Sequence, residues 1–454
     1  MAVISALFNN KVSGFGFEQA FNVKDITSPE MKIAVQDCFN LYFGVKEPKE
    51  DNCQRIPALI VSKLYKTTFS EYEVNADGDF VNDVLTKLGE IKKKAIQFML
   101  VGGSVLLKPV PNGDGFYFLP VRRDCFIPLG RDAEGRLTSI GTSEQTVVNG
   151  KYYTLLERRT AGEKLRIENK LFVSDSSNDL GVPAPLNSIK KYEMLQPSFE
   201  LPINGIGLVE MKTPLLNDVD GTADGVPVYE PARELIHNIN KNEYQLNREF
   251  ENGRSRIIAS ADMFAKTKDG KRIIEDDTFV ALEEDPENVG ITIFSPALRE
   301  QSYLNRKNEY LRNIESLIGL KRGILSEVEA AERTATEVTS SEGDYNLTII
   351  DFQEVWENAL KEVAVLCAEL GKLYNVKGAI DIDPEKISID WGDGVLYNRD
   401  KTWQEMKEMV QAGMLKPEIA VAWYFNLPCK AKSDLEKIRR EYMPEIEELI
   451  AGEE

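Results

Sequence analysis

The stretch from about residue 335 to 374 constrains this chain more than any other. Phe352, Val355, Trp356, Ala359, Leu360, Val363, Leu366 and Leu370 recur three and four apart, the spacing that gathers side chains on one face of an α-helix. The face is broad, so the helix must be buried against other elements. Its start is marked by Thr334 and, three residues on, Glu337, a pair whose hydroxyl and carboxylate each answer an orphan backbone N–H. About 40 helical residues would reach ~60 Å, which is long for one globular domain.

Two further long helices are predicted before it. Over about 229–252, Leu235, Ile239, Leu246 and Phe250 fall on one narrow stripe, and Asn238, Asn240, Lys241, Asn242, Glu243, Gln245, Asn247 and Arg248 occupy the rest. Over about 296–319, Leu304, Leu311 and Ile318 are spaced by seven, with Ile314 beside them. Stripes this narrow bury too little to hold a helix alone, and heptad spacing favours lateral packing. Residues 254–296 between them read as a compact β-rich insert, with strands at Arg256–Ala259, Phe279–Leu282 and Ile291–Phe294 and a turn at Lys268-Asp269-Gly270-Lys271. Flanked by the two helices, the insert must lie at their far end.

The N-terminal half mixes helices and strands. Ser28-Pro29-Glu30 is a helix start, with a hydroxyl cap, proline in the first turn and an acid near the positive end of the dipole. That helix runs to about Phe43 and stops at Gly44. A second, from about 81 to 101, carries Val84, Leu88, Ile91, Ala95 and Phe98 and ends at Gly102-Gly103, where Ser104–Val110 begins a strand. From there to Pro202 short alternating runs are separated by turn clusters at Asn112–Gly115 and Asp132–Gly135. Asn149-Gly150 between two β-branched and aromatic runs predicts a tight hairpin. Residues 203–228 read as loop, and 396–454 as three shorter helices over about 400–412, 417–426 and 432–450. The class is α+β with more than one domain, which 454 residues at 42% hydrophobic content allow.

Composition excludes several functions. Lys and Arg number 55 against 74 Asp and Glu, a formal charge of −19, whereas general nucleic-acid binding rests on cations that neutralise phosphates. Cys38, Cys53, Cys125, Cys367 and Cys429 form no CxxC pair and read as free thiols in a reducing compartment. No apolar run approaches the ~20 residues of a membrane span, and Met1–Asn10 lacks the basic region and cleavage site of a secretory signal. One histidine, His237, removes most nucleophile–base and metal constellations; on a polar helix it is expected at the surface or between subunits. Gly102-Gly103-Ser104 lies helix-to-strand, the reverse of a phosphate loop. Asp218, Asp220 and Asp224 miss the spacing of a calcium loop and read as a flexible acidic loop. Glu283-Glu284-Asp285 and Asp276-Asp277 read as solvated charge runs.

The order of elements then becomes recognisable. A mixed N-terminal half is followed by a polar helix ending in Arg248-Glu249-Phe250-Glu251-Asn252-Gly253-Arg254, a small β insert, a second helix, a loop, a long helix after Arg333-Thr-Ala-Thr-Glu-Val338, and a helical end containing Gln411-Ala-Gly-Met-Leu-Lys-Pro417. This resembles the portal proteins of tailed bacteriophages over nearly the whole chain, most closely the siphovirus type from Gram-positive hosts. The resemblance implies a wing over 1–228, a stem helix over 229–253, a clip over 254–296, a second stem helix over 297–320, a tunnel loop over 321–336, the rest of the wing over 337–395 and a crown over 396–454. It also implies a ring of about twelve copies at one capsid vertex of the virion, assembled in the host cytoplasm. The ring would pass double-stranded DNA without sequence-specific binding. It would dock the large terminase subunit, a head completion or adaptor protein, and the major capsid and scaffolding proteins. No enzyme activity, cofactor, metal or membrane contact is implied.

Within that frame, Lys321, Arg322, Glu327, Glu329, Glu332 and Arg333 are expected on a mobile loop lining the channel. Lys266, Lys268, Arg272, Glu283 and Glu284 are expected on the docking surface of the clip. Two other classes remain open on sequence. One is a different oligomeric phage head–tail protein, though connectors are usually much shorter. The other is a carboxylate- and metal-dependent cytoplasmic enzyme built on Asp218, Asp220 and Asp224.

Overall fold

The computed structural model describes residues 14–44, 52–253, 297–327, 335–391, 399–425, 429 and 432–443, with the strands at 256–258 and 292–294 and without positions 71, 77 and 114. The chain opens with α1 (Gly14–Phe21), α2 (Pro29–Phe43), α3 (Ile56–Thr68), β1 (Glu73–Asn75) and α4 (Asp79–Gly102). The start of α2 is as the sequence predicts: Ser28 Oγ accepts the Met31 N–H at 3.0 Å, Pro29 sits in the first turn, and Gly44 closes the helix at φ 66°. α3 was not predicted. Its buried Ile56, Ile60, Val61 and Leu64 keep helical spacing and Pro57 sits in the first turn, but Arg55 at the N-cap supplies no side-chain cap. α4 buries Val84, Leu88 and Ala95 as expected, with Ile91 and Phe98 packed at the edge of the core.

Nine strands follow: β2 (Ser104–Asn112), β3 (Gly115–Arg122), β4 (Phe126–Arg131), β5 (Leu137–Val148), β6 (Lys151–Thr160), β7 (Leu165–Ser174), β8 (Val182–Ala184), β9 (Ser198–Leu201) and β10 (Val209–Lys212). They make two antiparallel sheets, one ordered β10-β2-β3 and one ordered β4-β5-β6-β7-β8, with β9 also on β7. At the β5–β6 hairpin Val148 pairs with Lys151, and Asn149 and Gly150 both take positive φ, 50° and 76°, as the two-residue turn requires. The segment 203–228 is more ordered than the sequence suggests. Val209 and Met211 alternate inward and pair with β2. Past β10, Thr213 N donates to Gly103 O at 2.9 Å and Val228 N to Leu100 O at 2.9 Å.

Apolar residues join the two sheets around Leu106, Phe126, Leu137, Ile140, Ile206 and Leu208. A charged pair also crosses between them. Glu157 on β6 accepts from Lys108 Nζ of β2 at 3.0 and 3.2 Å, and from Arg159 Nε at 2.8 Å. Burial alone would raise the Glu157 carboxyl; Arg159 and Lys108 outweigh it and hold it down at about 2, while burial lowers the Lys108 ammonium. A carboxyl depressed on folding contributes stability that is complete above its unfolded value, near 4.5, and is lost as pH falls toward about 2. We therefore expect wild type to lose stability over that window, and Glu157→Gln to show a flatter slope there in urea titrations. Equal slopes would remove this pair from the acid response.

The second half comprises α5 (Arg233–Asn252), β11 (Arg256–Ile258), β12 (Thr292–Phe294), α6 (Glu300–Leu317), α7 (Ala335–Leu373), β13 (Ser388–Asp390), α8 (Arg399–Gln411), α9 (Pro417–Phe425) and α10 (Lys432–Tyr442). The 39-residue α7 is the long helix of the sequence reading, and Phe352, Trp356, Ala359, Leu360 and Val363 on it are buried. It packs on α3, α4, β2 and β10, so the largest core includes both halves of the chain. β13 closes the fold by pairing with β1, Glu73 opposite Asp390. β11 and β12 pair with each other. The expected strand at Phe279–Leu282 and the Thr334 cap lie outside the described residues.

Candidate functional site

The features unusual for a globular domain converge on α5, α6 and the turn after α6. The two helices run antiparallel, since contacts descend one as they climb the other. Arg299 grips Glu249 with its backbone N–H at 2.9 Å and its guanidinium at 2.9 and 3.1 Å. Asn242 Nδ2 donates to Tyr303 O at 3.1 Å, and Lys307 Nζ bridges Glu243 at 3.0 Å and Gln54 at 3.2 Å. The Arg299 hydrogen bonds hold the half-buried Glu249 carboxyl down at about 2. Below these, Gln54 N donates to Asn240 Oδ1 at 2.9 Å, tying the pair to the N-terminal half.

The apolar stripes are only partly satisfied. Ile236, Ile239 and Leu246 of α5 and Ile314 of α6 are buried. Phe250, Leu298, Leu304 and Leu317 remain exposed, Leu304 at 43% and Leu317 at 52%. The heptad positions Leu311 and Ile318 thus pack within the subunit, whereas Leu304 does not. Asn240 and Asn242 are buried polar residues on α5; nothing in a run of similar polar residues singled them out.

The turn after α6 departs most from expectation. Gly319 takes φ 68° and Leu320 N returns to Glu315 O at 2.8 Å. The side chain of Glu315 is fully buried. Its Oε1 accepts backbone N–H groups of Gly323 at 3.1 Å, Leu325 at 2.5 Å and Ser326 at 2.9 Å, and its Oε2 accepts the Ser326 hydroxyl at 2.7 Å. Asn308, two turns back on α6, clasps Glu327 by both backbone groups, accepting its N–H at 2.8 Å and donating to its C=O at 3.3 Å. Residues 320–327 are therefore a pinned turn and not the mobile loop read from their small and charged composition. A carboxylate that accepts from four donors and an amide that accepts one hydrogen bond and donates another replace a hydrophobic anchor, and such anchors leave no periodic trace in sequence.

Of the expected channel residues, Lys321 is half-buried and Arg322 and Glu327 are exposed. Glu329, Glu332 and Arg333 lie outside the described residues, as do Lys266, Lys268, Arg272, Glu283 and Glu284. His237 Nε2 lies 2.8 Å from Asp37 Oδ2 on α2, so it serves contacts within the chain. The acidic loop is also ordered. Asp220 accepts from Ser28 Oγ at 2.5 Å and Asn217 Nδ2 at 2.7 Å. Asp224 is buried between Arg131 at 2.7 Å and Arg123 at 3.4 Å. Asp220 and Asp224 are spent on the protein itself, and among the described residues no cluster of three metal-ligating side chains exists. No described helix is long and apolar enough to cross a membrane.

No curated protein matches the chain. Among solved structures it is similar to a chain of "Neck of native GTA particle computed with C12 symmetry", at 13% identity and a TM-score of 0.47, over 92% of this chain and 99% of that one. A family model described as "Phage portal protein, SPP1 Gp6-like" matches residues 105–447, a span that holds both stem-like helices, the pinned turn, the long helix and most of the helical end. By that match the chain belongs to the phage portal protein family.

Proposed function

We propose that copies of this chain close into a ring of about twelve at one vertex of a phage capsid, with DNA entering and leaving along the axis. The family match over 105–447 carries this reading. The structure supports it through α5 and α6, which leave Phe250, Leu304 and Leu317, and Leu298 just before α6, exposed, apolar surface that lateral partners in a closed ring would cover. The acidic balance of the chain suits a channel, because each phosphate neutralised adds affinity that would resist sliding. In this reading 321–336 lines the axis. Glu327, Glu329 and Glu332 keep it acidic, Lys321 and Arg322 meet DNA only in passing, and Arg333 belongs to the same loop. The 254–296 insert, with Lys266, Lys268, Arg272, Glu283 and Glu284, docks the large terminase subunit and later a head completion protein. Capsid and scaffolding proteins meet the ring during assembly in the host cytoplasm, and the finished ring stays in the virion.

Native mass spectrometry and negative-stain imaging test the ring. Closed rings are expected, and the double variant Leu304→Asp, Leu317→Asp should weaken them while leaving the subunit folded. A 51.2 kDa monomer at every concentration and salt would sink the proposal. In rings that package DNA, replacing Glu327, Glu329 and Glu332 together with Lys should slow passage most at low salt, where phosphate contacts are strongest. Wild-type kinetics at every salt would move the constriction elsewhere.

A further inference from the structure

One edge of β7 carries two short strands in line. β9 pairs with residues 165–168 and β8 with residues 171–173, so Asn169 and Lys170 fall between their footprints. A cavity of about 410 Å³ opens at this gap, walled by Leu171, Phe172, Pro183, Pro185 and Pro197 and bounded by Gln19 and Ala20 of α1. That volume lies within the range of small-ligand pockets. The walls supply little to hydrogen-bond with, since the proline nitrogens carry no hydrogen. Lys170 also borders the cavity, but its Nζ donates to Ala20 O and lies 4.9 Å from the Phe21 ring centroid.

Asn169 is the exception on this wall, and it is only 3% exposed. Its backbone N–H donates to Pro197 O at 2.8 Å and its Nδ2 to Gln196 O at 2.9 Å, which fixes the amide with Oδ1 as the free end. Oδ1 is buried and has no hydrogen-bond partner. Glu157 stands opposite Asn169 in the β6–β7 register, but it is a carboxylate spent on Lys108 and Arg159 and has no donor to give. Buried acceptors are nearly always answered, so an unanswered one beside a cavity marks where a donor is due.

We propose that this cavity binds an indole-type group, a flat apolar ring with a single N–H, and that this N–H donates to Asn169 Oδ1. Other occupants fit worse. A buried water takes about two to four partners, and Oδ1 is the one unanswered buried group on this wall. A phenol hydroxyl would reach Oδ1 but bring lone pairs that the proline walls cannot answer. An ammonium would lose its water with no carboxylate on the wall to pair with. An indole donates once, accepts nothing, and buries the rest of its ring against Phe172, Leu171 and the prolines.

The test is titration of the full-length protein with indole and with benzofuran, which keeps the shape of indole and puts oxygen in place of the N–H, read by ligand-observed NMR. Indole should bind roughly tenfold tighter, because only indole answers Oδ1. A cavity that took rings by shape alone would hold benzofuran at least as well. Asn169→Leu keeps most of the volume and removes the acceptor, so it should bring the two ligands level. A parallel titration with N-acetyltryptophanamide separates the sources: binding means that a tryptophan side chain of a protein can enter, and binding of free indole alone marks a small-molecule site. If wild type shows no saturable indole binding, or holds benzofuran as tightly as indole, the proposal is overturned, whatever the variant does.

Discussion

Gly103→Ala is expected to destabilise the subunit by about 4 kcal/mol or more, enough to remove soluble protein at 37 °C. Gly103 ends α4 at φ 82°, and a Cβ there would stand 2.2 Å from Gly225 O and 2.7 Å from the Val226 carbonyl carbon. The approach is mutual, since a Cβ on Gly225 would meet Gly103 O at 2.1 Å. Both backbones are fixed, because Thr213 N–H donates to Gly103 O at 2.9 Å and Thr213 Oγ1 donates to Val226 O at 2.6 Å. Relief would break those bonds, and the left-handed conformation adds its own penalty for any residue with a Cβ. Gly89→Ala is the control. Its position on α4 has nothing within 4 Å of an added Cβ and no positive φ, so alanine should stabilise the helix by about 0.5–1 kcal/mol. Urea midpoints read both. If the two variants agreed within 1 kcal/mol, the close approach at Gly103 would not exist in solution.

The second large effect is at Glu315. Glu315→Ala would leave three backbone N–H groups and the Ser326 hydroxyl without their acceptor, and an unanswered donor costs about 1–3 kcal/mol where it is buried, as at Ser326. Some would find new partners as the turn relaxes, so a net loss of about 4 kcal/mol is expected. Glu315→Gln keeps one acceptor oxygen, and the Ser326 hydroxyl can turn to accept from the new amide, so that variant should lose only about 1–2 kcal/mol. Hydrogen exchange supplies a local readout, with the amides of Gly323, Leu325 and Ser326 exchanging faster in both variants. Unchanged protection in Glu315→Ala would mean that the carboxylate does not hold the turn.

The parts legible from the sequence were those whose physics is local and periodic. Ser28 with Pro29 and Glu30 specified a helix start, Asn149-Gly150 a hairpin, and Phe352 through Leu370 the buried face of α7. Each rests on a spacing or turn preference that neighbours cannot easily overrule. The errors lie where the partner is far along the chain. β10 looked like loop because its pairing mate, β2, lies a hundred residues earlier. Asp224 looked solvated because Arg123 and Arg131 are invisible in its surroundings. Residues 320–327 looked mobile because composition reports what a segment could do in water, and it says nothing of the Glu315 carboxylate that ties the backbone down. For the stem, the narrow stripes were read correctly as incomplete, but which residues stay uncovered emerged only from the packing of α5 on α6.

The pairing of β1 with β13 also sets the timing of folding. Glu73 leaves the ribosome long before Asp390, its partner, and at ~5–20 residues per second the wait is roughly 15–60 s. α7, against which α3 and α4 pack, is completed only near the end of that interval. Until then the surfaces of α3 and α4 that meet α7 have no permanent cover, although α2, β2 and β3 already pack on α4. Contacts this distant in sequence also slow the final search, since the loop between them must close before they are rewarded. A nascent chain stalled before residue 390 therefore presents sticky helices for tens of seconds, and the yield of subunits depends on how crowded those unfinished chains are.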